Sequence, residues 1–159
     1  MASTRYDTNP TDASVVTFTP VLDTSAYTSG DVLFIPIEVS NVFTKFEGKA
    51  ALHSVIISDG DDQACDIDLV FFNASASLGT INTAVSISDA DAANIIGYVS
   101  LTNADNGHDL INSILYEKTA VGLIMQGSAS STSIWVGAVL RSGTPTFTAS
   151  GMKIKLGFL

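Results

Sequence analysis

The sequence ends in Arg141-Ser-Gly-Thr-Pro-Thr-Phe-Thr-Ala-Ser-Gly-Met-Lys-Ile-Lys-Leu-Gly-Phe-Leu159. From Met152 onward, apolar residues occupy every second position, and Lys153 and Lys155 lie between them. Successive side chains of a β-strand point to opposite faces, so one face of this segment would be buried and the other would carry the two lysines. Glycine, proline and serine precede the pattern, as is typical of a turn. The segment predicts the end of one strand, a turn and a closing strand.

Similar patterns recur along the chain with turn signals between them. Pro36 lies inside one of the candidate strands, and a proline cannot donate to the ladder, so that strand is predicted to lie at a sheet edge or to contain a bulge. Residues 73–86 are small and polar and predict a loop. Besides the C-terminal strand, the strand candidates are residues 15–18, 32–39 (which contains Pro36), 50–58, 67–72, 98–101, 120–125 and 134–140. Many short strands favour a sandwich over alternating strands and helices.

One short helix is predicted near residues 88–96, because Ser88 can cap a first turn that contains Asp89 and Asp91. Residues 103–109 predict an exposed turn. The expected fold class is therefore all-β: an antiparallel β-sandwich of jelly-roll type with one short helix. At 159 residues the chain suits a single domain, which we place at 15–159 after an N-terminal arm at 1–14.

The charge composition excludes some partners. Seven basic residues oppose sixteen acidic ones, for a net charge of −9, so direct nucleic-acid binding is not expected. Charged residues make up only 14% of the chain, hydrophobic residues 46%, and the mean hydropathy is +0.34. This balance favours subunit contacts, whose cores are depleted of charge. The sequence shows neither a secretion signal nor an apolar run that could span a bilayer, which predicts synthesis in the cytoplasm and no membrane contact.

The densest group of carboxylates comprises Asp59, Asp61, Asp62, Asp66 and Asp68. Clustered carboxylates can ligate a hard cation such as Ca²⁺, which takes six to eight oxygen ligands. The order of residues required by an EF-hand loop is absent. A solvated turn is therefore the preferred interpretation, and a bound cation is the alternative.

Few residues could carry out catalysis. His53 is predicted to share a buried strand face with Val55 and Ile57, and His108 lies in a polar turn. Cys65 is expected to be a buried thiol. No nucleophile elbow or phosphate-binding loop occurs in the sequence, so neither catalytic residues, nor a cofactor, nor a metal site is predicted.

Three aromatic residues, Tyr98, Tyr116 and Trp135, could form a sugar site together with the Asp-rich turns. The competing interpretation, which we favour, is that Trp135 fills the core of the sandwich, because aromatic residues on strands commonly pack between sheets.

Two segments resemble a known family: Phe18–Leu33 and Ser142–Leu159 are similar to capsid decoration (cement) proteins of tailed bacteriophages. The resemblance implies a jelly-roll-like protomer that trimerises and binds the outer surface of major capsid protein capsomers without catalysis. It further implies a location on the capsid exterior of the virion. The alternative is a receptor- or glycan-binding module of a phage head fibre or tail, and a more remote one is a cellular carbohydrate-binding module.

The polar N-terminal arm is a candidate for docking onto such a shell. Tyr6 could supply an apolar contact and Arg5 a partner for a carboxylate, while Pro10 disfavours regular structure. Ordering the arm would cost about 1 kcal/mol per residue, which the contacts with the shell must exceed.

Overall fold

The computed structural model of the protein describes residues 13–159. These residues form ten strands and two four-residue helices. In chain order the elements are β1 Ser14–Phe18, β2 Val32–Val39, β3 Lys49–Asp59, β4 Asp66–Phe72, α1 Asp89–Ala92, β5 Ile95–Leu101, α2 Asn103–Asn106, β6 Gly107–Asp109, β7 Ile114–Lys118, β8 Leu123–Gln126, β9 Ile134–Ser142 and β10 Met152–Phe158. No helix in the described part of the chain is long and apolar enough to cross a membrane.

The strands form two antiparallel sheets. The six-stranded sheet has the order β1-β10-β3-β7-β6, and β8 continues the line of β7 along the other half of β3. The four-stranded sheet has the order β2-β9-β4-β5. If β7 and β8 are counted as one position, the first strand pairs with the last, the second with the next to last, and so on inward. This nested pairing is that of a long hairpin rolled into a jelly roll, so the predicted fold class is confirmed.

The core lies between the inward faces of the two sheets. Ile57 and Leu156 of the six-stranded sheet belong to the same buried cluster as Leu69 and Val136 of the four-stranded sheet. The alternation of β10 is as predicted, with buried apolar residues and exposed lysines. Pro36 lies on the edge strand β2, where the register with β9 shifts between Phe34 and Ile37, so that prediction is also confirmed.

The helix predicted near 88–96 is shorter than expected. Ser88 caps α1 by accepting from the backbone N–H of Asp91 at 3.1 Å, but the helix ends at Ala92 and β5 begins at Ile95. A second helix, α2, occupies the start of the predicted turn at 103–109. Its N-cap is Thr102, whose hydroxyl accepts from the next turn in the same way. The sequence prediction missed this cap.

The strand predicted at 120–125 was placed too early, and β7 was not predicted. Ala120 and Gly122 have φ values of +52° and +69°, which are incompatible with extended structure, so β8 begins only at Leu123. The chain keeps its direction across this link, because β7 and β8 both run antiparallel to β3 and lie end to end along it.

The loop at 73–86 covers the outer face of the four-stranded sheet. Leu78 is 3% exposed and packs in a second cluster with Val32, Phe72 and Val139. Trp135 is partly buried against this outer cluster and does not fill the space between the sheets, so the predicted core position was wrong. Both faces of β9 are covered by protein, and an apolar strand of that kind shows no alternation from which to choose a face.

Candidate interaction surface

The outer face of the six-stranded sheet carries an apolar patch at the end where β1 begins. Leu159 exchanges backbone hydrogen bonds with Ala51 at 2.9 Å, and Ala51 lies opposite Ile124 in the next strand. Val15 of β1 lies opposite Gly157 in the neighbouring strand, two residues before Leu159. Val15 and Ile124 are each 72% exposed and Leu159 is 54% exposed. We call Val15, Ala51, Ile124 and Leu159 the apolar patch.

The patch borders a shallow cleft of about 210 Å³ that includes Val15, His53 and Leu159 in its lining. Gly157 forms part of its floor. A Cβ at Gly157 would lie 2.3 Å from the Oγ of Ser54, so a side chain here would push into the neighbouring strand. The glycine therefore keeps this part of the sheet flat and the apolar side chains around it accessible to a partner.

Two lysines lie on β10, and Lys155 is the one next to the patch. Lys155 and Lys153 are exposed on the same outward face, and Lys155 lies between Thr17 of β1 and Ile56 of β3. Glu117 follows Ile56 in the same row. One of the chain's few cations, Lys155, thus lies beside the apolar patch, and a complementary partner surface would be apolar with a nearby carboxylate.

The patch was not predicted from the sequence. Val15, Ile124 and Leu159 lie in segments where neighbouring residues are also apolar, so alternation could not show which of them point outward. The available signal was weak: two successive large apolar residues in a short strand, as at Leu123 and Ile124, require that one of them lies on the outer face.

The predicted position of His53 was wrong. On β3, Leu52 pairs with Phe158 and Ser54 with Gly157, so His53 is the extra residue of a bulge. The bulge shifts the alternation, and as a result His53 is exposed whereas Leu52 and Val55 are both buried. His53 consequently lies at the cleft beside the patch.

Two aspartates at the turn after β3, Asp59 and Asp61, serve as hydrogen-bond acceptors within the fold. Asp59 is fully buried, and its carboxylate accepts from the backbone N–H groups of Asp61 and Gln63 at 2.9 and 2.7 Å. Burial raises the pKa of Asp59, and the two donors oppose that rise. The carboxylate of Asp61 accepts from the backbone N–H and hydroxyl of Thr148. This turn joins the loops before β4 and β10.

Asp66 and Asp68 of the acidic group are also hydrogen-bonded, whereas Asp62 is exposed. Asp66 accepts from the backbone N–H of Asn103 at 2.8 Å, and Asp68 binds both the hydroxyl of Ser100 and the Nε of Arg141. Within residues 13–159 no three His, Cys, Asp or Glu side chains are grouped as a metal site would require. The segment contains the turn that the sequence predicted, but Asp59 is buried beneath it and not solvated.

Cys65 is a buried free thiol, as predicted. Burial raises its pKa to about 12. Its backbone N–H donates to the hydroxyl of Tyr116 at 3.1 Å, and the same hydroxyl donates to its carbonyl oxygen at 3.0 Å. The thiol is therefore protonated at neutral pH, and the residue's visible role is structural.

The remaining candidates are dispersed over the molecule. Tyr116 is in the core, Trp135 lies under the loop at 73–86, and Tyr98 is 67% exposed on β5, so the three do not form one site. His108 is exposed on β6, two strands away from β3. The capsid-contact candidates lie outside the described residues: Arg5, Tyr6 and Pro10.

A scan against models of protein families finds no match to this sequence, and a search of curated proteins finds none. Among solved structures, a chain in the structure of infectious bursal disease virus, Gx strain, is similar to this one with a TM-score of 0.36 and 13% sequence identity. The similarity covers 91% of this chain and 32% of that chain, so the present chain spans about a third of its length. The strand pairing itself defines the class: a jelly-roll β-sandwich domain with an exposed apolar face.

Proposed function

We propose that this chain is a virion structural protein that decorates a phage capsid by binding the outer surface of major capsid protein capsomers, without catalysing a reaction. The observation that carries the proposal is the apolar patch, which lies on the outer face of the six-stranded sheet next to Lys155. An exposed apolar cluster of this kind marks an interaction site. The resemblance of Phe18–Leu33 and Ser142–Leu159 to cement proteins supplies the partner.

A jelly roll suits this role because its two sheets hold the docking face rigid, so little conformational entropy is lost on binding. Many copies on one particle could stabilise the shell through modest individual contacts. We propose further that the protein is a homotrimer, since the low charge content leaves apolar area available for contacts between copies. Sedimentation that shows a monomer both in solution and after release from particles would exclude the trimer.

The test of docking uses two valines of equal exposure. Val15 in the patch and Val21 in a loop at the other end of the sandwich are each 72% exposed. Replacing valine with threonine preserves the shape and the β-branch, so Val15→Thr and Val21→Thr form a matched pair. Purified capsids lacking the protein are incubated with each variant and sedimented, and the bound fraction is measured against concentration.

We expect Val15→Thr to weaken capsid binding roughly tenfold, because an apolar group would no longer be buried at the contact. Combining it with Ile124→Thr should weaken binding further, whereas Val21→Thr should bind as wild type does. If wild type fails to bind capsids, the proposed function is wrong. If wild type binds and Val15→Thr binds equally well, the protein docks through another surface.

A second candidate function, a glycan-binding module, is favoured by the surroundings of Tyr98. This exposed ring forms one wall of a cleft of about 350 Å³ whose other residues include Asp68, Ile95 and Arg141. An aromatic face beside fixed polar groups suits a sugar ring. Saturation-transfer NMR with a panel of hexoses and acidic sugars should show contacts that Tyr98→Phe retains and Tyr98→Ala loses. The absence of transfer from every sugar in the panel would count against this function.

A further inference from the structure

The hairpin formed by β6 and β7 has a two-residue turn in which an isoleucine adopts a positive φ. Leu110 donates its backbone N–H to the carbonyl of Ser113 at 2.8 Å, which leaves Ile111 and Asn112 as the turn residues. Ile111 has φ = +78°, and Asn112 is not among the residues of positive φ. A backbone φ in this range is normally adopted by glycine.

An isoleucine in this conformation is strained. β-Branched residues are true outliers at positive φ, because the branched side chain crowds the backbone. The carboxylate of Asp109 holds the turn by accepting from the N–H of Ile111 at 2.7 Å. The side chain of Ile111 is 83% exposed and that of Leu110 is 57% exposed. The strain is therefore not offset by burial in the core, and the fold would be more stable with glycine at this position.

The surroundings of the turn are acidic. Asp59 at the end of β3 pairs with Ile114 at the start of β7, so the loop at 60–65 lies beside the turn. Neither this loop nor the segment at 102–113 contains lysine or arginine. Their acidic residues are Asp61, Asp62, Asp105 and Asp109.

We infer that Leu110 and Ile111 form an apolar knob that inserts into an apolar socket rimmed by lysine or arginine on a protein partner. The acidic surroundings favour a basic rim and disfavour anionic membranes and nucleic acids, which they would repel. We assign the socket to the capsid surface, and this assignment rests on the proposed function. The hairpin belongs to the same six-stranded sheet as the apolar patch but lies at the opposite end of β3, so a capsid surface that engages both would span the length of that strand.

The test measures the effect of the turn on stability separately from its effect on capsid binding. Ile111→Gly removes both the strain and the knob, whereas Ala120→Gly relieves a positive φ of +52° at an exposed residue elsewhere and removes no large apolar group. Each variant is measured by thermal unfolding and by sedimentation with capsids. We expect both to melt about 2–4 °C above wild type. Ile111→Gly should bind capsids at least tenfold more weakly, and Ala120→Gly should bind as wild type does.

A third variant, Asp109→Asn, keeps the acceptor for the turn and removes the charge. Its capsid binding should depend less steeply on salt than that of wild type. If Ile111→Gly melts at or below wild type, the turn is not strained and the inference falls. If wild type binds capsids and Ile111→Gly binds equally well, the knob has no part in docking, although the proposed function stands. If wild type does not bind, both the function and this choice of partner are wrong.

Discussion

Replacing Tyr116 with phenylalanine removes a hydroxyl that ties the two sheets together. Tyr116 lies on β7 in the six-stranded sheet, and its hydroxyl bridges the N–H and the C=O of Cys65, which directly precedes β4 in the other sheet. The side chain is fully buried, and burial raises the pKa of its phenol, so the hydroxyl stays neutral and can both accept and donate.

The expected cost follows from what the substitution leaves behind. Phenylalanine fills the same space, so no cavity term arises, but the amide and carbonyl of Cys65 each lose a partner in a site that is closed to water. A buried polar group without a partner costs about 1–3 kcal/mol. For the two groups together we expect Tyr116→Phe to lower the free energy of unfolding by about 2–4 kcal/mol. For a chain of this size the melting temperature should then fall by roughly 5–15 °C.

Urea-induced unfolding followed by tryptophan fluorescence measures the change directly, and two tyrosines provide comparisons. Tyr27 makes the same kind of bridge, accepting from the N–H of Asp23 at 2.7 Å and donating to the carbonyl of Leu33 at 3.0 Å, so Tyr27→Phe should cost a similar amount. Tyr98 is 67% exposed, and Tyr98→Phe should change the stability by less than about 0.5 kcal/mol. A Tyr116→Phe variant as stable as Tyr98→Phe would refute the argument.

Three further predictions concern buried groups. Because burial raises the pKa of Cys65 to about 12, roughly one thiol in ten thousand is ionised at pH 8; the native protein should resist alkylation by iodoacetamide, as mass spectrometry would show, and react once unfolded. Because burial raises the pKa of Asp59, its protonated side chain contributes most to stability at low pH, and this contribution is lost as pH rises through the folded-state pKa. Residue 59 no longer titrates in Asp59→Asn, so urea titrations between pH 4 and pH 7 should show wild type losing stability relative to the variant as pH rises. A difference that stays constant with pH would contradict this. Gly137→Ala would place a Cβ 2.7 Å from Leu78, so it should lower stability by about 1–3 kcal/mol and speed proteolysis within 73–86; unchanged cleavage would show that the loop adapts.

Local patterns predicted much of the architecture. The alternation after Met152 identified the inward residues of β10, Pro36 identified an edge strand, and the context of Cys65 identified a buried thiol. Each of these features depends on the geometry of one strand or on one side chain's own chemistry, so a single stretch of sequence contains the information. Capping by Ser88 was predictable for the same reason.

Features that depend on two distant segments were not predicted correctly. His53 points outward because β3 gains one residue relative to β10, and Trp135 lies under a loop because that loop folds back over β9. The apolar patch combines residues of β1, β3 and β8 with Leu159. The sequence by itself determined which residues share a face of a strand without a bulge, such as the start of β10. Only the tertiary structure decided which faces are covered, because bulges and strand register depend on pairing between segments far apart in the chain.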